Sequence, residues 1–474
     1  MTEAHFSGRR HYGITLAVLS VAGLAFALSQ TLVAPALPDI QHALHASTTG
    51  ATWVLTAYLL AASIATPVIG RLGDMFGKEH VLLATLAAFG VGSLICALSH
   101  TLGLLIAGRV VTGAGGAVFP LAFGIIRDEF PRERVAGAIG LISSILGIGG
   151  GVGLVLAGVI VEHASYEWIF WAGLIIDAVA IVATKLFVPE SPIRAKARID
   201  WGGAAGLSLG LIALLVAVSE GNAWGWGSGR VVGLFAVAGV VLAAWAWYET
   251  RVPEPLVDMR MMALRPVLTT NTTALLIGFG MYGSFILLPQ FVQVPASTGY
   301  GFGASVVGAG LFLLPSAATM LVAGPLSGSL GSRFGSRVPL LVGTAFAAVA
   351  FALLAVAHGS RAPVYLASAI LGFGIGLAFA AMANLIVEAV RQDQTGVATG
   401  INTIARTLGG AVGTQVLAAV LAGHPLGATG YATETGYTVA FVVATAGVLA
   451  SFAAALAVPA RVRTAAPAAA KVPA

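Results

Sequence analysis

Charge is scarce in this 474-residue chain. Asp, Glu, Lys and Arg together make up 9% of it, where a soluble globular protein carries about 25%. So few charges cannot cover a water-facing surface, which excludes a soluble enzyme and a nucleic-acid binder; the 58% hydrophobic content excludes a disordered chain. A single cysteine, Cys96, rules out a disulfide framework and any cysteine-based metal cluster. No G-x-x-x-x-G-K-[ST] phosphate loop occurs, which argues against an ATP-driven pump. Neither a Ser/His/Asp order nor paired carboxylates point to a buried enzyme, and His42 and His45 read as loop residues rather than metal ligands. What remains is apolar and small. Mean hydropathy is +0.94, and 61 glycines suit membrane helices whose backbones approach closely.

A bilayer core about 30 Å thick needs about 20 apolar residues per helix. That ruler predicts fourteen spans, near 12–33, 51–69, 81–98, 102–124, 136–161, 168–188, 201–219, 231–249, 267–292, 304–328, 338–357, 363–387, 397–422 and 437–457. The fold class is therefore an all-α polytopic membrane protein. Nineteen of the 24 Lys and Arg residues lie before span 1, in the exits of even-numbered spans or in the tail. The positive-inside rule then puts both termini in the cytoplasm and the chain in the cytoplasmic membrane. Net charge, +5, reflects this placement and not a nucleic-acid partner.

The run Pro67-Val-Ile-Gly70-Arg71-Leu72-Gly73-Asp74-Met75-Phe76-Gly77 recurs as Pro325-Leu-Ser-Gly328-Ser-Leu330-Gly331-Ser332-Arg-Phe334-Gly335. Gly113, Gly115 and Gly116 return around Gly372, Gly374 and Gly376, and Gly140, Gly149 and Gly150 return as Gly400, Gly409 and Gly410. Six helices are thus repeated in parallel, with a hairpin between the copies, an architecture of rocking secondary transporters. The organisation expected is a cytoplasmic tail (1–11), an N-terminal six-helix half (12–188), a linker with two extra helices (189–266), a C-terminal half (267–457) and a low-complexity cytoplasmic tail (458–474).

Gly70-Arg71-Leu72-Gly73-Asp74-Met75-Phe76-Gly77-Lys78 resembles the signature loop of the major facilitator superfamily, and Arg109 with Gly113, Gly115 and Gly116 is similar to that superfamily's fourth-helix motif. The hairpin, the phrase Trp247-Tyr-Glu249-Thr-Arg251…Pro255-Leu256-Val-Asp258 and Arg406-Thr-Leu-Gly409-Gly410 resemble its fourteen-helix drug:proton antiporter branch. The sequence departs from that branch in three places. Ser29 stands where an aspartate is usual, Gly153-Leu-Val-Leu-Ala-Gly158 lacks the proline of the fifth-helix motif, and Tyr166-Glu167-Trp168 replaces Trp-Arg-Trp.

The resemblance implies that Gly70, Arg71, Gly73, Asp74, Gly77 and Lys78 form a cytoplasmic gate, with Asp74 as an ion latch; a solvated, topology-fixing turn is the alternative. Ser332 stands for Asp74 in the second copy, weakening any latch there. Arg109, two turns inside its span, relays protons by resemblance, or else pairs with backbone carbonyls. Asp177 is the acid placed mid-span, where a carboxyl can take up a proton or sit neutral against a hydroxyl; Asp39, at the exit of the first span, is a second coupling candidate or a helix-end residue.

Ser29, Thr56, Tyr58, Asn271, Tyr282, Gln290, Asn384, Asn402, Arg406 and Gln415 are candidates for a substrate cavity, each with helix-packing glue as its alternative. Apolar walls with scattered amides suit an amphipathic organic molecule. The expected function is proton-coupled export of hydrophobic or amphipathic compounds by alternating access. An uptake carrier or uniporter, and a non-transporting sensor or scaffold, remain as alternatives. The partners are then a small-molecule substrate, protons and the lipid bilayer, with no cofactor, metal or nucleic acid and a monomeric chain. The proton gradient would supply the energy.

Overall fold

The structure, a computed structural model, describes residues 11–460 apart from 192, 196, 197, 428 and 429, with the side chains of 11, 48 and 49 also left aside. Arg9, Arg10, Lys196, Arg461, Arg463, Lys471 and most of both tails lie outside the described residues. Fourteen helices are long and apolar enough to cross a bilayer: α1 (Tyr12–Thr31), α2 (Gly50–Phe76), α3 (Lys78–Ala97), α4 (Leu102–Glu129), α5 (Arg132–His163), α6 (Glu167–Phe187), α7 (Trp201–Trp224), α8 (Gly229–Glu249), α9 (Arg265–Gln293), α10 (Val306–Phe334), α11 (Arg337–Val356), α12 (Arg361–Ala389), α13 (Gln392–Ala422) and α14 (Glu434–Leu456). Each matches one of the fourteen predicted spans. Among the described residues there is no strand.

The largest differences have local causes. Helix α2 was expected to stop near 69 but runs to Phe76, because Gly70 and Gly73 stay helical and the turn falls on Gly77, at φ 107°. Beyond α1 the chain bends at Leu32 and continues as a helix, Val33–Ala43, rather than leaving through a proline-rich loop. Pro35 falls in that helix's first turn, where its missing N–H is unneeded. Helix α4 is interrupted by a tight 3-10 stretch, Gly113–Ala117. A Cβ on Gly113 would lie 2.4 Å from the Ala61 Cβ, and one on Gly116 2.6 Å from the Thr66 hydroxyl, so these glycines let α4 press against α2.

Large apolar side chains face outward along the bundle, among them Val240 (70% exposed) and Val356 (83%). Lipid, not water, suits such a surface. Two seams join the six-helix halves. One is α5 on α10, where the backbones meet at Gly140 and Gly324; a Cβ on Gly140 would stand 2.1 Å from the Gly324 carbonyl oxygen. The other is α2 on α13, where Gly70 meets Gly396 in the same way, at 2.6 Å. The inserted helix α7 lies over this second seam and packs on both α2 and α13, while α8 packs on α7.

Gly140→Val should therefore separate α5 from α10 and lower stability by about 1–3 kcal/mol, the usual cost of overpacking. Gly239→Ala, on the open side of α8 with nothing within 4 Å, should stay within about 0.5 kcal/mol of wild type. Thermal unfolding of both variants in detergent checks the pair; equal stabilities would contradict the seam.

Candidate functional site: a clamp and a cavity between the halves

At the end of the bundle carrying Arg71 and Lys78, the first half grips the turn between α12 and α13. The Asp74 carboxylate, fully buried at the end of α2, accepts hydrogen bonds from the Gly396 N–H at 3.1 Å and the Val397 N–H at 3.2 Å. These are first-turn amides of the α-helical part of α13, Thr395–Ala422, which have no partner inside their own helix and carry the positive end of its dipole. Arg127, from the end of α4, works on the other terminus. Its guanidinium donates to the Val390 carbonyl (2.7 Å), the Arg391 carbonyl (3.1 Å) and the Thr395 hydroxyl (2.6 Å). An anion thus caps the start of α13 and a cation caps the end of α12.

Lys78 holds this arrangement together from within the first half. Its ammonium is buried, 2.6 Å from Asp128 Oδ2 and 3.6 Å from Asp74 Oδ1. Ser191 donates to the same Asp128 oxygen at 2.5 Å. Gly124 leaves the space the lysine stem occupies, since a Cβ there would lie 2.6 Å from its Cε. Gly70 and Gly73 serve close approach, against α13 and Leu121 respectively, and Gly77 alone of the three takes the turn conformation.

Beyond the clamp, between the halves, lies an open-mouthed cavity whose empty space, with the solvent at its mouth counted in, is about 1230 Å³. Its walls are mainly apolar (Leu59, Leu146, Met281 and Phe285 among them), with Gln30, Thr31, Thr56, Tyr58, Tyr282, Thr407 and Thr414 as the polar groups. Leu215 and Ser219 of α7 close its side, so the inserted hairpin contributes to the wall. A smaller inner chamber, about 450 Å³ counted in the same way, shares Gln30, Tyr58 and Tyr282 with it and adds Ser63, Thr66 and Arg406.

Of the sequence-predicted cavity residues, Thr56, Tyr58, Tyr282 and Arg406 line these spaces. The others do not: apart from the exposed Gln290, each has a polar group taken by a neighbouring helix. Asn402 donates to the Asn271 side chain at 2.9 Å, Asn384 donates to the Ala136 carbonyl at 3.3 Å, and Gln415 accepts from Asn222 of α7 at 2.6 Å. Gln290 is exposed on the outside of α9. Ser29 lies behind the wall, its hydroxyl accepting from Arg109 at 3.2 Å. Arg109 is wholly buried, bonded also to the Val54 carbonyl at 3.2 Å and stacked on the Tyr58 ring at 4.0 Å.

Neither candidate acid reaches the cavity. Asp177 is fully buried between α6 and α3, against Gly90, with no hydrogen-bond partner for either oxygen. Asp39 is exposed on the Val33–Ala43 helix. Sequence reading missed Arg127, Asp128 and Gln30. The repeat held a signal for Asp128: at the spacing that relates Gly140 to Gly400, its counterpart is Glu388, which accepts from Ser336 at 2.7 Å.

Asp74→Asn removes the charge from two buried hydrogen bonds, each worth about 1.5–3 kcal/mol when charge-assisted. Spin labels at Phe76→Cys and Gln392→Cys, in a Cys96→Ser background, should report a longer and broader distance distribution in that variant. An unchanged distribution would show that the clamp does not hold the halves together.

Comparison with known proteins agrees with this architecture. The chain is 31% identical over 412 residues to the tetracenomycin C resistance and export protein of Streptomyces glaucescens, covering 86% of this chain and 76% of that protein. It is 29% identical over 390 residues to multidrug resistance protein 3 of Bacillus subtilis, covering 81% and 75%. The crystal structure of the human organic anion transporter MFSD10 (TETRAN) superposes with a TM-score of 0.64 over 95% of this chain and 99% of that one, and at 16% identity it speaks for the fold alone. Residues 19–414 match the family model of the Major Facilitator Superfamily, and the chain belongs to that family of membrane transporters.

Proposed function

We propose that this transporter exports hydrophobic or amphipathic small molecules in exchange for protons, by alternating access. The observation that carries the reading is the cavity lined mostly by apolar side chains from both halves and lying beyond a clamped end. A site shared by two bodies is exposed to one face or the other as they rock. The relatives named as export and resistance proteins support the direction. The basic residues Arg71, Lys78, Arg127 and Arg391 at the clamped end support its assignment to the cytoplasmic face of the cell membrane. In this reading the structure is closed toward the cytoplasm. Opening that side requires Asp74 and Arg127 to release the α12–α13 turn, and the free energy comes from protonation and cargo binding that favour the other state.

Arg109 is the coupling residue that the geometry favours. It touches the cavity wall through Tyr58, whose buried hydroxyl has no partner, and Ser29 occupies the place of a carboxylate. Accumulation of the neutral dye Nile red in inverted vesicles under an imposed pH gradient tests the reading. Wild type should accumulate dye only while the gradient lasts. Arg109→Ala, which deletes a buried charged donor of about 1.5–3 kcal/mol, should lose about tenfold or more of that flux, and Asp39→Asn should retain it. Accumulation indifferent to the gradient would overturn proton coupling, and undiminished flux in Arg109→Ala would overturn its role.

A further inference from the structure

Two guanidiniums stand against the inner chamber without an acid to neutralise them. Arg406, 7% exposed, lines the chamber and lies 4.0 Å over the Phe379 ring, and its Nε–H has no acceptor. Arg109 sits behind the Tyr58 ring, and one of its terminal nitrogens likewise lacks a partner. Among the described residues no carboxylate comes within 4 Å of either group, and no Asp or Glu lines the chamber or the larger cavity.

Placing unpaired cations in an apolar interior is costly, and aromatic faces and neutral carbonyls offset only part of that cost. An anion entering the chamber supplies the missing partner, while a cation meets repulsion that little water screens. A guanidinium also matches a carboxylate in shape, through two parallel N–H donors. We propose that the cargo is an apolar organic anion, its carboxylate or phenolate seated in the inner chamber against Arg406 and its hydrocarbon body in the larger cavity. As a claim about transported cargo this rests on the export reading; as a claim about binding it stands on the chamber itself.

Binding to the full-length protein in phosphatidylcholine nanodiscs tests it with three compounds of one ring size: 2-naphthylacetate, 2-naphthylethanol and (2-naphthylmethyl)trimethylammonium. Calorimetric titration of wild type should rank carboxylate over alcohol over ammonium, the carboxylate leading the alcohol by about tenfold, as a charge-assisted hydrogen bond implies. Arg406→Gln should erase that lead, and Arg406→Lys, which keeps the charge but not the paired donors, should keep part of it. The wild-type ranking decides the matter even if Arg406→Gln does not fold. An ammonium compound bound as tightly as the carboxylate, or an undiminished lead in folded Arg406→Gln, would overturn the proposal. Flux in proteoliposomes separates it from the export reading. Carboxylate binding without flux supports the anion site and counts against transport, whereas flux of the ammonium compound alone supports transport and overturns the anion assignment.

Discussion

The grip of the first half on the α12–α13 turn is the constraint on which the rest of this structure depends. Helix ends carry unsatisfied amides and carbonyls with partial charges of opposite sign. Asp74 meets the N-terminal amides of α13, and Arg127 meets the Val390 and Arg391 carbonyls just past the end of α12. Such contacts are strong in a dry interface and vanish with small displacement, so they make a seal that either holds or opens. Lys78 and Asp128, buried behind them, keep Asp74 and α4 in register.

The repeat makes the asymmetry of this seal visible. At the matching positions of the second half, Ser332 replaces Asp74 and Ser336 replaces Lys78. Ser332 bonds only within its own helix, to the Ser329 carbonyl at 2.9 Å, and the Ser336–Glu388 hydrogen bond takes the place of the Lys78–Asp128 ion pair. There the halves meet through glycines, Gly140 on Gly324 and Gly328 on Ala136, by close backbone packing. The α2–α13 seam therefore adds buried charge to close glycine packing, whereas close packing joins α5 to α10. In the proposed cycle the molecule hinges along α5 and α10 while α2 and α13 part. The inserted hairpin follows from the same geometry: α7 lies over the seam that parts, tied to α13 by the Asn222–Gln415 bond.

Much of the fold was legible because a bilayer demands long apolar runs, and each of the fourteen runs became a helix. The glycine motif announced the α2–α13 approach. The cavity was read less well. Asn271, Asn384, Asn402 and Gln415 carry the groups a substrate site would use, yet each is taken by a neighbouring helix. Membrane helices are apolar on every face, so periodicity does not say which face a polar residue occupies. Arg127 reads from the sequence only as a topology marker and Asp128 carries no signal of its own, because the partner that gives each a role lies far away in sequence, Thr395 for Arg127 and Lys78 for Asp128.

The central claim is that one cavity serves both faces in turn, sealed at rest from the basic end. The direct measurement is thiol accessibility of a single cysteine in its wall, Thr414→Cys with Cys96→Ser, using a membrane-impermeant maleimide on sealed vesicles of each orientation. The account predicts labelling at rest only from the face opposite the basic end, and from both faces once cargo and a pH gradient drive turnover. Equal labelling from both faces at rest, or none from the basic face during turnover, would contradict it.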